Sequence, residues 1–196
     1  MPRPKQRTPE LRDQVLKVAL STLNEDGLAG FTTRRVAEQA GTSVPAVYEL
    51  FGDKSGLVRA VFFEGFRMLG RRLLALPETD DAVADVQRLI PVFRRFCLDY
   101  PALARVMFSR PFQDFDPDPE ELAASPSVRE IFVSRIKRCT DAGMLTGDPV
   151  DIAHVLLALA QGLAVQEGGR WLGKSKASVN RRWEVGVTGI LRGFAR

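Results

Sequence analysis

Few residues of this chain can make or break bonds. His154 is the sole histidine, and Cys97 and Cys139 are the two cysteines. One imidazole and two distant thiols fall short of the ligand count of a zinc site, and no local signature pairs a nucleophile with His154. The acidic run DFDPDPEE spaces Asp114, Asp116 and Asp118 like the first ligands of a calcium loop. However, Pro119 stands where such a loop needs its sharp-turn glycine, and Ser125 where it needs its closing glutamate. It reads as a solvated acidic loop, and no metal, cofactor or catalysis is expected. The chain does offer hydrogen-bond donors and cations close together: Thr33, Arg34 and Arg35, then Thr42 and Ser43, then Tyr48 and Lys54. Such groups suit phosphates and base edges.

The rest of the composition frames that chemistry. The 196 residues are 45% hydrophobic and 27% charged, as in an ordinary globular protein. The formal charge of +4 is small, but it is segregated. Residues 1–60 carry nine bases and seven acids, residues 61–169 twelve and sixteen, and residues 170–196 seven and one. The cysteines lie in apolar-periodic stretches, which suits buried thiols in a reducing compartment, so a cytoplasmic location is expected. No signal peptide is read at the N-terminus. The longest apolar run, residues 152–165, is broken by His154 and Gln161, so no membrane partner is expected.

A period near 3.6 recurs almost everywhere, so the expected fold is all-α with about nine helices. Thr8 caps a first helix, with Pro9 at its first position and Leu11, Val15, Val18, Ala19 and Leu23 along one stripe; it stops at Gly27. Thr32 caps a second, carrying Val36, Ala37 and Ala40 and ending at Gly41. Ser43 caps a third over residues 44–51, closed by Gly52, and Asp53 caps a fourth that stops at Pro77. Later helices are expected near 81–100, after Pro101, and near 127–142, 149–167 and 178–194, with a loop over 111–126.

Only Gly41 and Thr42 join helices two and three, the spacing of a helix-turn-helix. The segment TTRRVAEQAGTSVPAVYELFGDKSGL resembles the DNA-binding region of the tetracycline-repressor (TetR) family of bacterial transcription regulators. The resemblance covers roughly residues 8–60. It includes Gly27, Phe31, Thr32, Val36, Ala37, Ala40, Gly41, Ser43, Val47, Tyr48, Phe51, Lys54 and Leu57. Pro45 and Leu50 depart from the family's common glycine and histidine, and Gly56 replaces a frequent glutamate. That last change removes half of a capping box and is expected to soften the start of helix four.

The resemblance implies an N-terminal three-helix DNA-binding domain, residues 1–53, followed by a larger helical ligand-binding and dimerisation domain, residues 54–196. The helix from about 54 to 76 links them. Thr33, Arg34 and Arg35 at the start of helix two suit a phosphate, while Thr42, Ser43, Val44, Pro45, Ala46 and Glu49 would form the reading surface. Tyr48 and Lys54 resemble the family's phosphate-contacting tyrosine and lysine. Val47 and Phe51 belong to the small core. Arg3, Lys5 and Arg7 form a basic arm that either tracks DNA or is only a solubilising tail.

In the larger domain the helix over 149–167 is apolar on two faces, and the last helix carries Gly186, Gly189 and Gly193 beside Trp183. Each interior glycine costs about 1 kcal/mol relative to alanine unless another helix approaches closely. With Ala158 and Gly162, these residues are expected at a homodimer interface, which the resemblance places in the last two helices. Phe66, Phe93, Phe96, Phe108, Phe112 and Phe132, with His154 and Gln161, are candidates for lining an effector pocket, or are simply core. The expected function is a transcriptional regulator, most simply a repressor that binds a palindromic operator in double-stranded DNA as a homodimer and is released by a small apolar or aromatic effector. The alternative is a helical small-molecule binder or enzyme whose helix-turn-helix is only scaffold.

Overall fold

The computed structural model describes residues 8–108 and 128–196. The basic arm at Arg3, Lys5 and Arg7, the acidic loop and Phe112 lie outside the described residues. Nine helices form among the described residues: α1 Pro9–Gly30, α2 Thr33–Gln39, α3 Val44–Phe51, α4 Lys54–Leu74, α5 Ala82–Asp99, α6 Pro101–Phe108, α7 Val128–Asp141, α8 Pro149–Gly168 and α9 Lys176–Gly193. No strand accompanies them there beyond one isolated bridge between Leu145 and Ala195. The all-α expectation is met.

Side-chain caps start several helices as the sequence suggests. Thr8 accepts from the Leu11 amide, Thr32 from Arg35 and Ser43 from Ala46, which satisfies donors that have no partner inside the helix; Asp148, not singled out in the sequence, does the same for Val150. Gly27 is non-helical at φ 67°, so α1 breaks where expected, although helical geometry resumes up to Gly30. Pro91 lies inside α5 without ending it. Both Pro91 and Gln87, whose carbonyl loses its partner, are exposed, so water can serve instead.

The described residues fall into two compact units. One holds residues 8–65 and 100–108, and so takes in the first half of α4 and all of α6. Gly65 makes that possible, because a Cβ there would lie 2.5 Å from the Met107 sulfur. Its core contains Val15, Leu16, Ala19, Leu23, Val36, Val47, Leu57 and Val61.

The other unit holds residues 66–99 and 128–196. Phe93, Phe96, Phe132, Ile136, Ile152 and Leu156 fill its centre. Two ionic clusters fix its helices. The fully buried Asp85 carboxylate accepts from the Thr79 amide and hydroxyl, from Arg88 and, at 2.7 Å, from Arg138. Beside it, buried Arg135 donates to the Leu76 and Pro77 carbonyls, which ties the chain following α4 to α5 and α7. In the second cluster Arg94 of α5 forks onto Glu167 of α8 with two 2.7 Å bonds and donates to Asn180 of α9. The guanidinium also lies 5.4 Å from the centre of the Trp183 ring, whose Nε1 donates to Glu167 at 2.8 Å. Both cysteines are buried, as expected. Burial, reinforced by the Glu167 charge, pushes the Cys97 thiol up to about 12, and burial also raises that of Cys139.

Burial alone would raise the Glu167 pKa, but the bonds from Arg94 and Trp183 and the Arg94 charge outweigh it and leave the carboxyl below its ordinary value. A lowered folded-state pKa stabilises the fold above the unfolded value and is lost as pH falls through the folded one. Glu167→Gln should therefore cost about 2 kcal/mol near neutral pH, between the values for exposed and fully buried pairs. The gap from wild type should close as pH drops below about 4.3, the ordinary glutamate value. Urea unfolding at several pH values checks this.

Candidate nucleic-acid interface

α2 ends in a hydrogen-bonded pattern that only a left-handed residue completes. Gly41 has φ 66° and its amide donates to Glu38, while the Thr42 amide reaches back to Ala37 at 2.9 Å. That turn delivers the chain to Ser43, the cap of α3, with α2 and α3 packed together. Val47 is fully buried and anchors α3 from beneath. Gln14 of α1 donates to the Ala40 carbonyl, and Thr22 to Gln39, so α1 fixes α2 from the other side.

α3 and α4 meet at closer range. Gly52 turns the chain at φ 81°, and the Asp53 carboxylate accepts from the Gly56 amide at 2.8 Å. A Cβ on residue 56 would lie 1.7 Å from the Phe51 carbonyl oxygen. Glycine at 56 therefore does not merely weaken a cap, as the sequence suggested; it is what allows α4 to start directly against the end of α3.

On this frame the positions expected to meet DNA are laid out as follows. Ser43, Pro45, Tyr48, Glu49 and Lys54 are exposed, and Thr42, Val44 and Ala46 are partly so. Tyr48, 41% exposed, projects its ring from α3, and Lys54 opens α4. Arg34 and Arg35 are exposed, but each meets a carboxylate: Arg34 meets Glu38 one turn on, and Arg35 meets Asp26 of α1. Thr33 departs from its expected role. Its side chain is buried and its hydroxyl has no partner, because residue 33 shares the inward face of α2 with Val36, Ala37 and Ala40. Phe51 is only half buried, with the Arg12 guanidinium 5.0 Å from its ring centre. Neither Asp26 nor Arg12 stood out in the sequence, since nothing local marks their partners.

The other expected sites divide more sharply. Phe93, Phe96 and Phe132 are fully buried in the second unit, Phe66 and Gln161 are half buried there, and half-buried Phe108 belongs to the first unit. His154 is exposed, not core, because it lies on the side of α8 away from Ile152, Leu156 and Ala160. Trp183, expected at an interface, is already buried within its own chain by α8 and Arg94. Gly186 likewise serves α8, since a Cβ there would lie 3.1 Å from Leu159. Ala158 and Gly162 are exposed on α8 and Gly189 and Gly193 on α9, and a Cβ on any of those three glycines would meet nothing.

Residues 15–61 match the family model described as bacterial regulatory proteins, tetR family, and residues 86–190 match the tetracyclin repressor-like C-terminal domain. The chain is similar to the class C tetracycline repressor protein of Escherichia coli, 34% identical over 95 residues. That stretch spans 48% of this chain but 43% of the relative, so it covers less than half of that protein's length. A Rhodococcus sp. RHA1 protein of unknown function superposes over the full length of both chains with a TM-score of 0.80 and 26% identity. ActR of Streptomyces coelicolor, solved in complex with (S)-DNPA, shares the fold, with a TM-score of 0.66 and 18% identity over 93% of this chain and 95% of its own.

Two substitutions test the local reading. Gly56→Ala should destabilise the first unit by several kcal/mol, the range of overpacking against backbone that cannot yield. Thr33→Val, which removes a hydroxyl without a partner, should leave stability unchanged or slightly raised. Thermal unfolding of both variants checks the pair.

Proposed function

Because this chain belongs to the TetR family of bacterial regulatory proteins, we propose that it is a transcription regulator, a repressor that binds a palindromic operator as a homodimer and lets go when a small apolar or aromatic molecule binds its second unit. The observation that carries this reading is α3 itself. It is a helix of eight residues, capped by Ser43, anchored by Val47 and set against α4, with its exposed side given to Pro45, Tyr48 and Glu49 beside Lys54. On this reading α3 enters the major groove. Thr42, Ser43, Val44, Pro45, Ala46 and Glu49 face base edges, while Tyr48, Lys54, Arg34 and the amide of Thr33 face phosphates, with Arg35 beside them but paired to Asp26.

Unmet packing supports the homodimer. α8 is the one described helix long and apolar enough to cross a membrane by length and composition, yet only 28% of its apolar window is buried. Val155, Ala158, Gly162 and Val165 are exposed on the side of α8 that its own unit leaves open, and Val185, Gly189 and Gly193 on that of α9. Gly186 is explained within the chain by Leu159, but Gly162, Gly189 and Gly193 are not. A second copy approaching closely gives those three a reason. The effector is proposed to enter the Phe-rich centre of the second unit, where Phe93, Phe96 and Phe132 must repack to admit it.

The reading is tested by a mobility shift on the DNA upstream of the chain's own coding region. Wild type should bind as a dimer with a strong salt dependence. Lys54→Ala should weaken binding to all sequences alike and lower the salt slope by about 1 per subunit, whereas Thr42→Ala or Glu49→Ala should change preference at one base pair per half-site. Gly189→Leu should weaken association in sedimentation. Wild type that stayed monomeric at micromolar concentration and ignored DNA would overturn the proposal.

A further inference from the structure

We infer that Asp26 is a built-in competitor of DNA phosphate for Arg35, and that it holds down the electrostatic part of the chain's DNA affinity; the inference rests on the DNA-binding reading above. The two arginines at the start of α2 are engaged in different ways. Arg34 makes one contact with Glu38, and both side chains are largely exposed, at 84% and 63%. Such a pair contributes little and yields readily to a polyanion. Arg35 instead meets Asp26 through two nitrogens: Nη2 donates to Oδ1 at 3.0 Å, and Nε lies 2.7 Å from the buried Oδ2 as an ion pair without hydrogen-bond alignment. The Asp26 side chain is only 24% exposed. A charge-assisted hydrogen bond backed by a second close charge contact on a partly buried carboxylate yields less readily than the exposed Arg34 pair.

The backbone keeps Asp26 where it is. The residue ends the regular part of α1, immediately before the break at Gly27. The chain then passes so close that a Cβ on Gly30 would lie 2.4 Å from the Cβ of Asp26. The unpaired carbonyls at such a helix end make the local field negative, so a carboxylate there gains from a nearby cation. Arg35 supplies one, and the pair is mutually held. For a phosphate to take Arg35, it must displace a carboxylate of the same sign and nearly the same geometry. Until it does so, Arg35 neutralises no phosphate, and Asp26 repels the one that approaches. Asp26 thus acts on DNA through Arg35, as a positioning residue.

Neutralising one more phosphate steepens the dependence of log K on log salt by about 0.9. The full chain and its variants are titrated against a random-sequence DNA duplex by fluorescence anisotropy at several salt concentrations. Asp26→Asn should bind several-fold more tightly than wild type at low salt, with a slope steeper by about 0.9 per subunit, while its melting temperature falls. A merely structural aspartate would lower both quantities together. Asp26→Glu should behave as wild type. Arg35→Ala should change the wild-type slope little but return the Asp26→Asn slope to that of wild type. Asp26→Ser is the second neutral variant should Asn fail to fold. A neutral variant, folded by circular dichroism, that kept the wild-type slope or bound more weakly would overturn the inference. Wild type with no salt-dependent binding would instead overturn the functional reading, and this inference with it.

Discussion

The first unit is organised around a backbone contact. At residue 56 the start of α4 passes so near the Phe51 carbonyl that only a hydrogen atom fits on its Cα. α3, at eight residues, is too short to persist alone in water, so its direction is imposed from both ends. One end is the left-handed turn at Gly41, and the other is the Gly52 turn running into the contact at Gly56. Val47 then needs only to fill the space beneath. The unit holds the exposed side of α3 steady with a small apolar core because backbone geometry, more than buried area, sets the angle between α3 and its neighbours.

The second unit solves a different problem. Its helices are longer and several pack on more than one neighbour, so many apolar surfaces could slide past one another at little cost. The Asp85 and Glu167 clusters resist this, since each brings together groups from three segments and works in a single register. Burying charge is costly unless every partner is in place, and here the carboxylates and guanidiniums are matched by hydrogen bonds as well as by charge. These clusters contribute definition of the packing more than net stability.

What could be read in the sequence follows the range of the interaction. Thr8, Thr32, Ser43 and Asp53 act on amides three residues away, so the helix starts were legible from composition alone. The inward turn of Thr33 was also encoded, by its register with Val36, Ala37 and Ala40, but its hydroxyl pointed the reading toward solvent. His154 erred the opposite way, because an imidazole in an apolar run suggests core until the helix is wound and Ile152, Ala153, Leu156 and Leu157 claim the inner face. The glycines of α9 announced a close approach without saying to what; only the packed helices separate Gly186, which meets Leu159, from Gly189 and Gly193, which meet nothing in their own chain. Pairings such as Arg94 with Glu167, or Arg138 with Asp85, span many tens of residues and leave no local trace.

The burial of the two cysteines has a consequence for what kind of signal the chain can receive. Oxidants attack the thiolate, and susceptibility tracks both ionisation and access. Burial withholds Cys97, its thiol pushed up to about 12, and the fully buried Cys139 from such attack, which leaves the exposed Met144 thioether as the more accessible sulfur. Oxidation of this chain would therefore begin at a thioether on the surface, as a sulfoxide, before it reached either thiol in the core.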